Sequence, residues 1–162
     1  MALVMIKKTM AQVFIDKVGS AAKQVAKEYN LDWRFMMTQI GLESGNGASK
    51  LATQANNYTG FTGDAWEKAG KPVVRMLTWE QKDGKDYQMV RPFRAYASAM
   101  DSLRDYARLL TTQPRYAKAV EAQRKGDLPG AFTLMGTSGY ATQKDYGTRL
   151  ANRYNELKGL LA

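Results

Sequence analysis

The sequence predicts a mainly α-helical domain with one small β-hairpin, and three observations predict this class. Long segments place apolar residues three or four positions apart, which is the spacing of an amphipathic helix. A single pair of β-favouring runs flanks a tight-turn dipeptide. The chain has 162 residues with 44% apolar content, which suits one hydrophobic core. Since no internal repeat is present, we expect one domain over residues 1–162.

Two helices are predicted in the first third of the chain. Residues 9–29 carry a regular apolar stripe. Residues 33–43 are almost entirely apolar, which predicts a buried helix, and Asp32 is suited to cap its first turn. The Ser-Gly-Asn-Gly sequence at residues 44–47 should end this helix, because glycines favour a turn.

An irregular segment and a hairpin follow. Residues 48–72 are rich in Asn, Thr and Gly and have no apolar period, which predicts a loop with one short helix near residues 65–69. Residues 73–80 and 87–93 favour strands. The Asp83-Gly84 pair between them is typical of a tight hairpin turn.

Four more helices are predicted in the second half, and most are marked at an end by a capping or breaking residue. Ser98 is suited to cap the first of them, and glycine or proline separates several of the others. The predicted helices cover residues 98–111, 115–125, 127–135 and 145–161. The chain is therefore expected to end, as it begins, in a helix that contributes to the core.

The chain contains neither cysteine nor histidine, and this restricts its chemistry. Disulfides, thiolate metal sites, common zinc sites and nucleophiles activated by histidine are all excluded. Carboxylates, tyrosines, lysines and hydroxyls remain, so any reaction points to acid–base work by Asp or Glu. We expect no cofactor and no metal ion.

The formal net charge of +9 suits a polyanionic partner, but the basic residues are scattered along the chain. No nucleic-acid-binding motif accompanies them, so we expect no nucleic-acid partner. No apolar stretch approaches the roughly 18 residues that span a bilayer, so we expect no stable membrane insertion. Residues 1–8 lack a long apolar core and a cleavage site, so we expect no signal peptide.

Glu43 is the strongest candidate for a catalytic group. It stands at the end of the apolar helix and is followed by two glycines in Glu43-Ser44-Gly45-Asn46-Gly47. The negative end of the helix dipole and desolvation would both raise its pKa, which keeps a carboxyl protonated near neutral pH. The alternative is a solvated glutamate at a helix end that Gly45 caps.

Five ordered motifs give the chain a family resemblance. They are Leu42-Glu43-Ser44-Gly45-Asn46-Gly47, Asn57-Tyr58-Thr59-Gly60, Phe93-Arg94-Ala95-Tyr96, the pairs Asp105-Tyr106 and Arg115-Tyr116, and Gly139-Tyr140-Ala141-Thr142-Gln143-Lys144-Asp145-Tyr146. Together they resemble the glucosaminidase family of peptidoglycan hydrolases, which includes the flagellar rod-assembly hydrolase, autolysins and phage lysins. Asn46 stands where an aromatic residue is usual, and Gln143 and Lys144 replace an acid and a proline.

The resemblance implies a lysozyme-like helical domain whose hairpin lobe spans about residues 73–93. It implies an endo-β-N-acetylglucosaminidase that hydrolyses the β-1,4 bond between N-acetylglucosamine and N-acetylmuramic acid in peptidoglycan glycan strands. We expect a monomer that acts at the periplasm or cell wall, either delivered by a phage and its holin or carried by a partner.

The resemblance also suggests further site residues. Glu80 stands where the family carries a hairpin carboxylate, and Tyr140 stands where a tyrosine lies near the reacting sugar. The alternatives are a solvated hairpin charge for Glu80 and core packing for Tyr140. The residues expected to contact substrate are Asn46, Asn57, Tyr58, Phe61, Trp79 and Tyr146, and Trp66 is a further aromatic candidate.

Two other interpretations remain open at this point. A lysozyme or lytic transglycosylase of similar fold would use the same glutamate, but it would cut on the other side of the disaccharide or leave an anhydro product. A wall-binding or assembly module would keep the groove without catalysis.

Overall fold

The computed structural model describes residues 6–162 as a helical body that carries one hairpin. The first five residues, on which the expectation about a signal peptide partly rests, lie outside the described residues. The helices are α1 (Met10–Tyr29), α2 (Trp33–Ser44), α3 (Lys50–Ala55), α4 (Asp64–Lys68), α5 (Ala99–Thr112), α6 (Ala117–Arg124), α7 (Leu128–Gly136) and α8 (Tyr146–Leu157). Short 3₁₀ turns occupy Pro114–Tyr116 and Lys158–Leu160. The predicted class, mainly α with one hairpin, is confirmed.

One helix was not predicted from the sequence. The six residues of α3 lie in the segment that we expected to be irregular apart from a short helix, which is α4. Ser49 caps α3 by accepting a hydrogen bond from the Ala52 amide, and Asn56 ends it in a left-handed conformation with φ of 52°. A helix of this length has fewer than two turns, so it shows no apolar period.

Capping residues fix both ends of α2 and therefore the place of Glu43. The Asp32 side chain accepts a hydrogen bond from the Arg34 amide at the start of the helix. At the other end Gly45 adopts a left-handed conformation with φ of 56°. That conformation suits glycine, which has no Cβ to clash. As a result, Glu43 lies in the last turn of a helix whose ends are well defined.

The core surrounds α2, whose side chains are mostly buried as predicted. Helices α1 and α8 pack against α2, while α5 packs against α1 and α7 packs against α6 and α8. Large side chains that are fully or almost fully buried fill this core: Phe35, Met36, Met37, Ile40, Leu103, Tyr106, Leu110, Met135, Tyr146 and Leu150. No helix within residues 6–162 combines the length and apolar character needed to cross a membrane.

The hairpin consists of β1 (Val73–Lys82) and β2 (Lys85–Arg94), paired antiparallel from Val73↔Arg94 to Lys82↔Lys85. Asp83 and Gly84 both have positive φ, at 53° and 75°, which is the conformation of a tight type I′ turn. The turn is where the sequence predicts it, and the strands are one to two residues longer than predicted at several ends.

A buried carboxylate anchors the base of the hairpin to the helical body. Asp105 on α5 accepts hydrogen bonds from Arg94 and Arg108 at 2.7 Å each and from the Tyr96 hydroxyl at 2.5 Å. Burial alone would raise the pKa of Asp105, but these three donors outweigh it and hold the pKa below its ordinary value. The hairpin is therefore fixed at its base, whereas Trp79, further along β1, is 67% exposed.

Candidate active site

Several surface depressions contain carboxylates. The partners of each carboxylate indicate which depression is a candidate active site better than the volume of the depression does. The two largest, of about 570 and 460 Å³, contain Asp32 and Asp105 respectively. Both carboxylates are already paired with arginines, Asp32 with Arg34 and Asp105 with Arg94, at 2.7 Å in each case. The hydrogen-bond donors around Asp105 hold its pKa below the ordinary value, so Asp105 is not suited to donate a proton, while Asp32 is engaged in its ion pair and in capping α2.

A third depression, a cleft of about 390 Å³, contains Glu43. Its walls come from four parts of the chain: the end of α2, the loop before α4, the junction of α5 and α6, and the loop before α8. The lining residues are Glu43, Thr59, Gly60, Phe61, Thr62, Leu109, Arg115, Tyr116, Tyr140, Ala141 and Gln143. The motifs at residues 42–47, 57–60, 115–116 and 139–146 thus converge at this cleft.

Burial raises the pKa of the Glu43 carboxyl above its ordinary value. A hydrogen bond from the Tyr146 hydroxyl to Oε1, at 2.5 Å, and the positive charge of Arg149 oppose this effect without cancelling it. The other carboxyl oxygen, Oε2, accepts no hydrogen bond from the described residues. Glu43 therefore has the properties of a proton donor at the wall of an open cleft.

A chain of buried polar side chains continues behind Glu43. Tyr146 Oη, which donates to Glu43, accepts a hydrogen bond from Gln39 Nε2 at 3.1 Å. Gln39 Oε1 in turn accepts from the Tyr106 hydroxyl at 2.5 Å. Gln39, Tyr106 and Tyr146 are each at most 1% exposed. Tyr146, which we expected to contact substrate, instead supports the carboxyl of Glu43 from inside the core.

Tyr140 forms the wall beside this chain. Its ring stacks on Tyr146, with centroids 5.8 Å apart and an angle of 10° between the ring planes, and it also contacts Tyr116 and Phe61. Its hydroxyl is buried and has no hydrogen-bond partner among the described residues. Burial also raises its pKa well above the ordinary value. Tyr140 thus lines the cleft and packs against its wall, and its role near the reacting sugar stays a prediction.

Glu80 lies on the hairpin and is not among the residues that line the Glu43 cleft within the described part of the chain. Its Oε1 accepts a hydrogen bond from Arg91 at 3.0 Å, and Arg91 also contacts Asp64 of α4 at 3.4 Å. The side chains of Glu80 and Arg91 are each 30% exposed. The structure therefore does not bring Glu80 together with Glu43, and its catalytic role stays a prediction.

The expected substrate-contacting residues of the loop before α4 divide into two groups. Phe61 lines the cleft and is available to a ligand. Asn57 is 1% exposed and organises the loop, because its Oδ1 accepts from the Thr59 and Gly60 amides while its Nδ2 donates to the Arg94 carbonyl. Tyr58 is also 1% exposed. Direct contact of Asn57 or Tyr58 with a sugar is therefore corrected: Asn57 shapes the loop and Tyr58 belongs to the core.

The remaining expected contacts lie away from the cleft lining. Asn46 Oδ1 accepts a hydrogen bond from Arg153 at 2.7 Å, which ties the turn after α2 to α8. Asn46 is partly exposed, and its contact with a sugar stays a prediction. Trp79 lies exposed on the hairpin. Trp66 packs against Tyr96 and under Lys71, so it acts as a packing residue.

Sequence reasoning missed much of the site, including Gln39 and Tyr106 in the buried chain and Arg115 in the cleft lining. Gln39 carried a detectable signal, because a polar residue in an otherwise apolar helix one turn before Glu43 lies on the same helix face. Tyr106 and Arg115 belong to motifs whose individual roles no sequence pattern reveals. Within residues 6–162 no acidic side chains converge as a metal ion would require.

Comparison with known proteins agrees with this geometry. Residues 19–159 match the glucosaminidase family, described as mannosyl-glycoprotein endo-beta-N-acetylglucosaminidase. Peptidoglycan hydrolase FlgJ of Salmonella typhimurium is 28% identical over 91% of this chain and 46% of its own length. Exo-glucosaminidase LytG of Bacillus subtilis is 33% identical over 86% of this chain and 49% of its own length.

Solved structures show the same similarity. The catalytic domain of the autolysin Auto from Listeria monocytogenes superimposes with a TM-score of 0.79 at 28% identity, over 96% of this chain and 89% of that chain. The chain spans about half the length of the two curated relatives described above. From the match over residues 19–159, this chain belongs to the glucosaminidase family.

Proposed function

We propose that this domain hydrolyses the glycan strands of peptidoglycan, at the β-1,4 bond between N-acetylglucosamine and N-acetylmuramic acid, with Glu43 as the catalytic acid. The observation that carries the proposal is a carboxyl with a raised pKa and one free oxygen at the wall of an open cleft. Family membership supports the glycosidase chemistry. Relatives named peptidoglycan hydrolase and autolysin support the substrate.

In the first step, Glu43 transfers its proton to the glycosidic oxygen while the bond from that oxygen to the anomeric carbon breaks. The leaving sugar departs with a new hydroxyl, and positive charge develops on the ring that stays. A water molecule finally supplies the hydroxyl at the anomeric carbon, and its remaining proton restores the carboxyl of Glu43. Oε2 is the oxygen placed to do this, because Tyr146 already occupies Oε1.

The developing positive charge needs a second group, and Glu80 is our proposal for it. A two-stranded hairpin that is anchored mainly at its base is a marginal element, because it has no further strand to pair with, and this suits movement over a long polymer. In the ligand-free state Glu80 is held by Arg91, so the hairpin would have to bring it toward the cleft. The substrate's own acetamido group and Tyr140 are the alternatives for this role.

Product analysis of purified sacculi tests the proposal. We expect mass spectrometry to find products with N-acetylglucosamine at the reducing end, and none after digestion with Glu43→Gln. N-acetylmuramic acid at the reducing end would instead indicate a lysozyme, and an anhydro product would indicate a lytic transglycosylase. Binding of the wild-type protein to sacculi without any cleavage would support a non-catalytic wall-binding module.

The same digestion addresses how the polymer is cut. One relative is named an exo-glucosaminidase, whereas we expect internal cleavage here. Internal cleavage shortens glycan strands early and yields a broad range of lengths, while cleavage from an end releases only small products.

We propose that the domain acts as a monomer at the cell wall or periplasm, with bacteriolytic, endolysin-type use as one setting. Light scattering in solution checks the monomer.

A further inference from the structure

We infer that Gln39 and Tyr106 are positioning residues that determine which oxygen of Glu43 carries the transferable proton. The inference rests on the proposed function only in taking Glu43 as the acid. Neither side chain lines the cleft, so neither is expected to touch substrate. Their effect passes through Tyr146, the one described residue that hydrogen-bonds to the Glu43 carboxyl.

The three side chains behind Glu43 come from three different helices. Gln39 lies on α2 one turn before Glu43, Tyr106 lies on α5, and Tyr146 begins α8. Gln39 and Tyr106 are 0% exposed and Tyr146 is 1% exposed. Buried polar groups keep their hydrogen bonds because water cannot replace a lost partner. The order of donors and acceptors is therefore a property of the fold.

The charged state of Glu43 fixes that order. A carboxylate only accepts hydrogen bonds, so the single hydroxyl proton of Tyr146 must point to Glu43 Oε1. Tyr146 Oη then needs a donor from behind, which the Gln39 amide nitrogen supplies. Gln39 Oε1 needs a donor in turn, which the Tyr106 hydroxyl supplies. With Glu43 charged, no other arrangement of donors and acceptors gives the carboxylate, the two tyrosine hydroxyls and the glutamine amide a hydrogen-bond partner each.

The same order selects the position of the proton when Glu43 is protonated. Oε1 still accepts from Tyr146, so the acidic proton lies on Oε2, the oxygen without a partner among the described residues. If the Gln39 amide were reversed, Tyr146 could donate to Gln39 instead, and the proton of Glu43 could then turn to Oε1, away from substrate. During catalysis the proton leaves Oε2 for the glycosidic oxygen, and the side chains of the buried chain lose and gain no atoms.

The groups that face Glu43 from each neighbouring element are known. From α8 come the hydroxyl of Tyr146 and the charge of Arg149, which both lower the pKa of Glu43. Tyr106 on α5 and Tyr140 in the loop before α8 are neutral groups whose own pKa values are raised chiefly by burial and to a lesser extent by the charge of Glu43. Arg115 lies across the cleft. Only Tyr106 and Gln39 act on the direction of the Tyr146 hydroxyl.

NMR titration of the side-chain carboxyls in protein labelled with ¹³C-glutamate tests the inference, with Glu43→Gln used to assign the Glu43 signal. Tyr106→Phe removes the last donor of the chain and frees the Gln39 amide to turn. We expect the pKa of Glu43 to rise by about 0.5 to 1 pH unit, less than the roughly 1 to 2 pH units of one whole hydrogen bond to a charged group, because Tyr146 itself remains. Tyr146→Phe should raise the pKa at least as much.

The double variant Tyr106→Phe/Tyr146→Phe separates positioning from general loosening. Because Tyr106 acts through Tyr146, we expect the double variant to match Tyr146→Phe, with no additional shift. Tyr154→Phe, which removes a hydroxyl from the same helix as Tyr146, is the matched control and should leave the titration unchanged. Gln39→Met has a similar volume and should shift the pKa upward as well, so it tests the chain if Tyr106→Phe folds poorly.

The inference is overturned if the pKa of Glu43 in folded Tyr106→Phe or Gln39→Met stays within about 0.2 pH units of wild type, well below the effect of one hydrogen bond. Additive shifts in the double variant would also overturn it, since the two tyrosines would then act independently. The titration needs no substrate. A wild-type protein that fails to cleave sacculi therefore contradicts the proposed function alone, while the NMR result still decides the inference.

Discussion

The two carboxylates proposed for catalysis lie in contrasting parts of the molecule. Glu43 ends a buried helix and is held by Tyr146 in a core assembled from α2, α5 and α8. Glu80 lies on a two-stranded hairpin, 30% exposed, and its described hydrogen-bond partner is the half-exposed Arg91. The helical body thus fixes one group in advance of substrate, whereas the hairpin leaves the other paired with a side chain that must release it.

On the proposed function, the contrast would combine a rigid proton donor with an adaptable wall for a polymer. Preorganised groups in a dry environment need no rearrangement at the moment of reaction. An element that closes over the substrate must instead be weakly held in the open state. The predictions below change each region in turn, in order of the free energy that we expect each change to cost.

Glu43→Gln should have the largest effect. The amide keeps the shape of the side chain but cannot donate an acidic proton, so turnover on sacculi should fall by at least about 10²-fold. The fold should persist, and stability should not suffer at neutral pH. Since the folded-state pKa of Glu43 is raised, deprotonation as pH rises above the ordinary glutamate value costs the native protein stability, and the glutamine avoids this cost.

If Glu43→Gln keeps more than about a tenth of wild-type turnover, Glu43 is not the catalytic acid, because loss of a general acid lowers the rate by more than this. Circular dichroism and thermal unfolding of the same sample provide the control for folding.

Arg94→Gln tests the fixed base of the hairpin. It removes one of three donors to the buried Asp105, so the free energy of unfolding should fall by about 1 to 3 kcal/mol. Arg91→Gln is the matched change further along the hairpin, where the arginine is exposed to a similar extent but its partner Glu80 is 30% exposed rather than buried, so it should cost at most about 1 kcal/mol. Equal costs in urea unfolding would contradict the distinction between a fixed base and a loosely held remainder.

Glu80→Gln and Glu80→Ala test the hairpin carboxylate. Each should lower turnover on sacculi by at least about tenfold, or 1.4 kcal/mol of transition-state stabilisation. Asp83→Asn and Asp86→Asn are matched controls on the same hairpin and should turn over normally. If the Glu80 variants behave like these controls, Glu80 is a solvated charge, and the acetamido group or Tyr140 becomes the better candidate for the second role.

Tyr140→Phe should have two small effects: the free energy of unfolding should stay the same or rise, and turnover should fall. The hydroxyl is buried and unpaired among the described residues, so its removal should leave stability unchanged or increase it by up to about 1 kcal/mol. Turnover should fall about threefold if the hydroxyl steadies the reacting sugar, equivalent to less than 1 kcal/mol. A clear loss of stability, measured by urea unfolding, would show that Tyr140 serves packing through a hydrogen bond absent here.

Chelation should have no effect at all. The chain lacks histidine and cysteine, and neither proposed carboxylate belongs to an acidic cluster in the described residues. EDTA should therefore leave turnover unchanged on sacculi that were stripped of their own bound ions beforehand. Activity that is lost with the chelator and restored by a divalent ion would place a metal in the reaction.

The sequence predicted the fold better than the site, for physical reasons. Periodic apolar residues and capping groups act locally, so the long helices and the Asp83-Gly84 turn were all visible in the sequence. The site depends on contacts between distant segments. Asn57 and Tyr58 belong to a motif, but only the packed structure shows that they shape the loop and fill the core. Gln39 carried a signal in its position one turn before Glu43, but its link to Tyr106 became visible only once three helices were brought together.

The pH dependence of kcat/KM on sacculi tests most directly the central claim, that Glu43 is the proton donor. The acid must be protonated to act, so activity should fall as pH rises through the pKa of Glu43 in the free enzyme, whereas ionisation of the second group sets the limb of the profile at lower pH. Since that pKa is raised, the fall should be centred above the ordinary glutamate value of about 4.3. Activity that has already fallen below about pH 4.3, or that does not fall at all as pH rises above this value, would contradict a buried, protonated Glu43 as the acid.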